Sequence, residues 1–546
     1  MLKVTPLGGL GQVGLNSMVV EHGRERVLID CGLMFPRADQ LGVDIVVPDF
    51  KALRDDPDAF KAIVLTHAHE DHVGAIPWLI REHGVPIYGT PYTLALVKHR
   101  LEEAGLKADL REIGPGSSFS VGSFDIEPIN VTHSVPDAVG LVMKTPSGTL
   151  VHSGDFKLDL SPIDGKLTDL GRLGEIAEQG IDLLLSDSTN SEVEGWTPSE
   201  TLVKETFERL FTTAPNRVVV ASFGSHLHRV QHLLWLAQKL NRRVVLSGRS
   251  LQRNCELART VGKLVVPDGL LTSMEDAAKL PRNQVLIIST GAQAEERSGL
   301  TWLVSDEPGP LRLEPGDLVV LSARAIPGNE PNIALLLNKL YLRGVKVAYP
   351  GNEPGVHVSG HASRQEQRRL IDTVKPRAFV PIHGELKHLH RHRQVATDAG
   401  LAEEQTMIAI NGDVIGVDRH GLHTLGRAPV GMLPMRREAL MPVSEASLKE
   451  RMQLAETGVV IAVVVMQQGG GKIRHGPTIS AQGLSGEEQS ALTLAAEGAQ
   501  LALKEISEAV RGDDERVREA MTRGVRRVFK QLFGSKPMVH AVVVRV

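Results

Sequence analysis

The stretch Thr66-His67-Ala68-His69-Glu70-Asp71-His72 sets three histidines and two acids within seven residues, directly after the apolar run Ala62-Ile63-Val64-Leu65. A divalent cation requires nitrogen and oxygen donors converging to about 2.0–2.2 Å from one point. In an extended chain His67 and His69, two residues apart, project to the same side, and Asp71 and His72 turn back from the loop that follows. These four donors can serve two ions. One loop cannot complete two shells, so further donors must come from elsewhere. His133 in "NVTHSVPD" and Asp155 in "LVHSGDFKLD" each follow a strand-like run, and a carboxylate can bridge two ions with its two oxygens where an imidazole cannot. Donors of this kind, without thiolate, suit zinc, and manganese is compatible with them. Two such ions roughly 3.5–4 Å apart neutralise a phosphodiester and acidify a water molecule for in-line attack. Cys31, beside Asp30, reads as a small buried apolar residue rather than a ligand.

Short strand-like runs alternating with helical patterns must position these residues, which predicts an α/β chain with helices covering sheets. "SMVVEHGRERVLIDCG" reads as two strands joined by a tight turn, and "FKAIVLTHAHEDH" as a strand running into a loop. A second α/β rhythm begins near Arg217 with "RVVVASF", "RVQHLLWLAQKL" and "RRVVLSG", and continues through "QVLIISTG", "GDLVVLSA" and "GVKVAYPG". The segment "RAPVGMLPMRREALMP" has three prolines and little periodicity, which predicts a linker. Beyond it three strand-like and two helical stretches form a small separate domain. The spacing Gly9-x-Gly11-x-x-Gly14 followed by Asp30 imitates a dinucleotide site. That fold needs a helix of about ten residues between glycines and acid, and only "LNSMVV" intervenes before the next turn, so the glycines predict a turn.

At 546 residues the chain needs two or three domains. Hydrophobic content of 42% and charged content of 23% are those of a soluble globular protein. No apolar run approaches the roughly 20 residues that cross a bilayer, and "MLKVTPLGG" lacks the apolar centre of a signal peptide. Two cysteines make a disulfide framework improbable, which predicts a cytoplasmic location. A net charge of -4 excludes a general polycation but leaves room for a local basic channel. Arg217, Arg229, Arg242, Arg243, Arg249 and Arg253 are candidates to line one.

The succession Asp30, the His67–His72 cluster, His133 and Asp155 resembles the motifs of the metallo-β-lactamase fold. "LLLSDSTN" with Asp187, "HVSGHAS" with His361 and "VPIHGE" with His383 resemble those of its β-CASP nucleases. With "GGLGQVG" at the start and "GKIRHGP" in a small terminal domain, nearly the whole chain is similar to the ribonuclease J family. The resemblance implies an αββα sandwich in two parts, residues 1–208 and 359–427. An α/β β-CASP domain at 209–358 is inserted between them, and a linker at 428–445 leads to an α+β domain at 446–546.

It also implies one ion on His67, His69 and His133, a second on Asp71, His72 and His383, and Asp155 bridging. Asp71 counts among the catalytic residues as well. Asp30 would orient the cluster. His361 would act as proton donor or charge stabiliser near the scissile phosphate, with Asp187 orienting it. Ser225, His228, Ser359, Gly360 and His361 would form a pocket for an RNA 5′-monophosphate, the feature behind 5′-to-3′ exonuclease action. Endonuclease action is implied beside it. Ser225 could equally be a helix N-cap. Aromatic content of 4% predicts recognition of the RNA backbone with weak sequence preference. A homodimer and membership of an RNA-decay complex follow from the same resemblance. Two alternatives stand beside it: a metallohydrolase of this fold acting on DNA or a small ester, and a catalytically silent RNA-binding scaffold.

Overall fold

Alternating burial along the first strands starts the architecture. Strand Leu2–Gly8 pairs antiparallel with Ser17–His22, and that strand with Glu25–Ile29, so that Val4, Val20 and Val27 share one buried face. In this computed structural model, which describes residues 1–326, 328–436 and 441–546, these strands belong to an eight-stranded sheet. Its order runs 421–427, 413–418, 2–8, 17–22, 25–29, 60–64, 87–89 and 110–112. A six-stranded sheet in the order 379–382, 183–187, 148–152, 139–145, 124–130 and 119–121 faces it. Val20, Val27 and Val64 of the first meet Ile126, Leu141 and Leu185 of the second in one buried core. The outer face of the six-stranded sheet packs Val142, Val151 and Leu184 against Leu173, Leu370 and Val395. Those come from helices Leu170–Ala177, Arg364–Val374 and Leu386–Asp398. Helix Pro91–Glu103 lies on the other sheet's edge strands. This is the expected αββα sandwich.

The chain leaves the six-stranded sheet at strand Leu183–Asp187 and returns at Phe379–Ile382, its parallel neighbour, with Asp187 paired to Ile382. The excursion holds a five-stranded parallel sheet in the order 243–247, 285–289, 218–221, 318–321 and 346–348, with helices such as Leu227–Lys239 and Arg249–Thr260 around it. Its strands are the apolar runs that the sequence predicts, and strands buried on both faces read as continuous hydrophobic text.

Contacts divide the chain into two compact units, Met1–Met34 with Val46–Met432, and Phe35–Ile45 with Leu433–Val546. Within the second, strand Val459–Met466 pairs antiparallel with Ile473–Gln482 and parallel with Met538–Arg545. Ala462, Val464 and Met466 pack on Ala499, Leu503, Met521 and Phe529 of helices Leu492–Lys504 and Asp514–Phe533. The expected linker differs: it carries strands Met432–Arg436 and Met441–Pro442, paired through Met435↔Pro442 and Arg436↔Met441. Residues 437–440 of that stretch lie outside the described residues. Backbone groups find ladder partners here although the side chains have no period, which is why the sequence signal fails. Among the described residues no helix is long and apolar enough to cross a membrane.

Candidate active site

The candidate residues sit at strand ends. Strand Phe60–Val64 runs into Thr66 and His67, both buried, and His69 caps the short helix Glu70–Val73 that carries Asp71 and His72. Asp30 ends Glu25–Ile29, Asp155 follows Gly148–His152, Asp187 ends Leu183–Asp187, and His383 follows Phe379–Ile382. Asp30 and His383 take φ of 60° and 55°, a left-handed backbone that only strong surrounding contacts sustain in a residue with a side chain. The cluster loop lies against the glycine-rich turn. Asn16 N donates to Asp71 O at 3.0 Å, Gly32 N to Asn16 O at 2.9 Å, and a Cβ on Gly32 would come within 1.6 Å of Asp71 O.

Donor atoms converge in three groups around Asp155: His67, His69 and His133 with it, Asp71, His72 and His383 beside it, and Asp187 and His361 as a third set. His67 Nε2 and His133 Nε2 lie 3.1 and 3.2 Å from His69 Nδ1, and 3.5 and 3.8 Å from Asp155 Oδ2. Asp71 Oδ2 lies 3.6 Å from His72 Nε2 and 3.5 Å from His383 Nε2, and those two nitrogens are 3.3 and 3.2 Å from the same Asp155 Oδ2. Ligands at tetrahedral distance from one zinc ion lie about 3.3–3.6 Å from one another, so the spacing fits a cation in each of the first two groups. Each imidazole also has its other nitrogen held by oxygen. His72 Nδ1 donates to Asp30 at 2.7 Å and His133 Nδ1 to Gly360 O at 2.8 Å. His67 Nδ1 pairs with Thr66 Oγ1 at 3.0 Å, His69 Nε2 with Ser134 Oγ at 3.2 Å, and His383 Nδ1 with Thr189 Oγ1 at 3.3 Å. This second layer of oxygen partners fixes which nitrogen points inward, as metal sites require.

The electrostatics agree with that chemistry. Burial, with neighbouring imidazoles, pushes His67 and His133 well below the usual histidine value and His69 to about 4, which leaves neutral rings with lone pairs to donate. Burial acts the same way on His72 and His383, but Asp155 outweighs it and both are raised. Burial resists the Asp155 carboxylate too, yet His383, His72 and His67 hold it ionised. His67, His69 and His133 are thus neutral donors, while His72 and His383 carry protons that a divalent cation beside Asp155 would displace. Asp30 makes three bonds, from Thr66 N, Thr66 Oγ1 and His72 Nδ1.

His361 stands beside this centre. Its Nδ1 donates to Asp187 Oδ2 at 2.7 Å and lies 4.0 Å from Asp155 Oδ2. Its side chain is 21% exposed while that of Asp187 is buried. Burial disfavours its charge, but Asp187 prevails and raises it from 6.5 to about 9. Asp187 thus favours the protonated imidazole at this partly exposed position.

The residues expected to hold a 5′-phosphate are brought together in part. Gly360 holds His133 through its carbonyl, and a Cβ there would lie 3.0 Å from the His133 ring. Ser359 Oγ accepts from His361 N at 3.1 Å. His228 Nδ1 donates to His133 O at 3.2 Å, and its buried Nε2, without a hydrogen-bond partner among the described residues, lies 3.8 Å from Asp164 Oδ2. Ser225 is not joined to this group by any hydrogen bond among the described residues. It is not the N-cap either, because His226 caps helix Leu227–Lys239. Of the arginines offered for a channel, three are buried for other reasons. Arg229 pairs with Glu200 at 2.6 Å, Arg217 with Asp317 at 3.2 Å, and Arg242 donates to carbonyl oxygens including Asn216 O and Ala214 O. Sequence reading missed Asn16, whose amide lies 3.2 Å from Asp71 Oδ2 and 3.0 Å from His72 Nε2. Its position just after "GGLGQVGL" was the available signal. It also missed Thr66, Ser134 and Thr189.

Four family models match the chain. These are the metallo-beta-lactamase superfamily at residues 10–192, the ribonuclease J beta-CASP domain at 215–340, a Zn-dependent metallo-hydrolase RNA specificity domain at 352–408 and the ribonuclease J C-terminal domain at 446–546. A ribonuclease J of Thermus thermophilus is 36% identical, with 100% of this chain and 95% of that protein covered. One of Mycobacterium tuberculosis is 36% identical, covering 100% and 97%, and one of Helicobacter pylori 36%, covering 98% and 79%. A solved structure of a protein of unknown function from Enterococcus faecalis V583 is similar in fold, with a TM-score of 0.54 and 18% identity, and covers 76% of this chain and 99% of that one. A full-length match at this identity, over the sandwich, the inserted domain and the terminal domain alike, means that the chain belongs to the ribonuclease J family.

Proposed function

We propose that the chain is a metal-dependent ribonuclease that hydrolyses RNA phosphodiesters from 5′-monophosphorylated ends and also cuts internally. The observation that carries the chemistry is the single oxygen Asp155 Oδ2, within 3.8 Å of four imidazole nitrogens, with the His361–Asp187 pair beside it. His67, His69 and His133 would hold one ion, Asp71, His72 and His383 a second, and Asp155 would bridge, with zinc favoured by the donor set and manganese compatible. Bound there, divalent cations supply Lewis acidity toward phosphoryl oxygens and water. The protein's own residues then orient and transfer. Asp30 keeps the His72 proton on Nδ1, Asp187 keeps the His361 ring turned outward, and His361 holds a proton that can pass to the leaving oxygen or stabilise charge on the phosphate. Asp71 is the most exposed carboxylate of the set at 31%.

His228 and Gly360, both held to His133, and Ser359, held to His361, support the 5′-phosphate pocket, and Ser225 completes it as proposed from the sequence. We propose domain boundaries of 1–208 and 359–427 for the catalytic sandwich, 209–358 for the inserted domain and 446–546 for the terminal domain. A cytoplasmic homodimer acting in RNA processing and decay, within a larger decay complex, completes the proposal. The test is single-turnover cleavage of end-labelled RNA bearing a 5′-monophosphate, 5′-triphosphate or 5′-hydroxyl, beside DNA of the same sequence, with metal content measured on the same sample. Mononucleotides released first from the monophosphorylated RNA support the pocket. Internal cuts without 5′ preference keep the nuclease and remove the pocket, and no cleavage by fully metallated protein supports a binding scaffold instead.

A further inference from the structure

We infer that Trp196 is a stacking platform for an RNA base flanking the linkage that is cut, an inference that rests on the ribonuclease function proposed above. The loop of residues 190–197 follows Asp187 closely and is tied to the segment that carries His361. Arg364 N donates to Val193 O and Gln365 N to Gly195 O, each at 3.1 Å, and Arg364 Nε donates to Ser191 O at 2.9 Å. On the other side of Trp196, Thr197 N donates to Glu366 Oε2 at 2.6 Å and Thr197 Oγ1 to His361 O at 2.7 Å. Glu366 is fully buried and also accepts from Ser363 N and Leu158 N, so it fastens the loop, the start of helix Arg364–Val374 and the chain after Asp155 to one carboxylate.

Within this fixed backbone the Trp196 side chain is left out. The residue is 48% exposed, and among the described residues no aromatic ring or guanidinium lies against it. A lone exposed aromatic is ordinary on a protein surface. Trp196 differs because its backbone is pinned on both sides and because the next residue holds the His361 carbonyl. Its position relative to His361 is therefore set before substrate arrives. Thr197 ties this loop to the His361 carbonyl, so an RNA phosphate seated at His361 would carry its flanking bases toward the loop that holds Trp196. Indole faces stack on any base, which suits a strand read through its backbone, and a platform ordered in advance loses little entropy on binding. The acids of the loop do not repel the strand, because Glu192 pairs with Lys387 and Glu194 with Arg364.

The experiment is steady-state cleavage by the metal-loaded full-length enzyme, with Trp196→Ala and Trp196→Phe variants. The substrates are one single-stranded RNA and a series of it with a single abasic nucleotide stepped across the cleavage site. Wild-type cleavage of the intact RNA tests the ribonuclease function itself, and its absence in fully metallated protein removes that function and this inference together. Where wild type cleaves, W196A should raise KM roughly tenfold, the scale of one stacked base, with kcat within twofold and metal content unchanged, and W196F should restore most of the loss. One abasic position next to the cut should impose the same KM penalty on wild type and none on W196A. An unchanged KM in W196A, or an abasic penalty equal in both proteins, overturns the platform. If W196A does not fold, W196F with the abasic series decides: a sharp penalty at one flanking position supports stacking, and a flat profile overturns it.

Discussion

Asp30 touches no shared donor point, yet it governs one. With its two oxygens spent on Thr66 and His72 Nδ1, replacement by alanine frees the His72 ring to rotate or change tautomer. The expected result of Asp30→Ala is a 10- to 100-fold loss of metal affinity, read by competition against a chelating dye, with cleavage recovering in excess metal. His361 should behave in the opposite way. It belongs to neither of the two histidine-rich groups but to a third set with Asp155 and Asp187, where Asp187 favours its protonated form, so His361→Ala should keep its metal content and lose roughly 10²–10⁴-fold in single-turnover rate, the range of one general acid. Loss of metal from that variant would show that His361 is a ligand. Histidines and aspartates of the site were legible in the sequence because few structural roles call for three imidazoles in seven residues. Their oxygen partners were not. Threonine and serine hydroxyls, the Asn16 amide and the Gly360 carbonyl are everyday groups whose part is set by a neighbour up to hundreds of residues away, as His133 and Gly360 are.

At the scale of elements, the inserted domain is joined to the sandwich through a buried polar node. Helix Glu200–Thr213 begins with Glu200, which accepts from Arg229 on helix Leu227–Lys239 at 2.6 Å and faces His226 Nε2 at 3.2 Å. Arg229 also donates to Ser322 O at 2.9 Å and to His357 Nδ1 at 2.9 Å, four residues before His361. Burial opposes the Glu200 charge, but Arg229 and His226 hold it well below the usual carboxylate range. Removing one partner strands the other charge in the interior. Arg229→Met should therefore cost about 3–5 kcal/mol in urea denaturation, and adding Glu200→Leu should return much of it. Equal loss in the single and double variants would mean that the pair is not coupled. The apolar strands of this domain were legible because they are continuous valine, isoleucine and leucine text. Arg229 was not, because an arginine reads alike in sequence whether water or a glutamate 29 residues away receives it.

At the scale of the molecule, the order of motifs carried the fold. Strands 183–187 and 379–382 are neighbours in one sheet although nearly two hundred residues separate them, and an excursion that starts and ends at the same place leaves the sandwich intact. The pairing of 432–436 with 441–442 was not legible, because it depends on backbone partners rather than on side-chain pattern. The many buried histidines give this architecture a common response to acid. His392, away from the donor groups, lies beneath the six-stranded sheet with Nδ1 at 3.0 Å from Ser188 Oγ and its ring on Phe379. Burial lowers its pKa from 6.5 to about 3. An unfolded chain takes up a proton there below pH 6.5, and the folded chain refuses it until about pH 3. Its stability contribution is therefore complete above pH 6.5 and falls as the pH drops through that window, by about 3 kcal/mol at pH 4. Urea denaturation of metal-free protein from pH 7 to 4 should show this as a slope that His392→Gln reduces by up to one proton, with metal removed so that its acid release does not add to the signal. Identical slopes in the two proteins would mean that the folded chain accepts the proton at His392 as readily as the unfolded one.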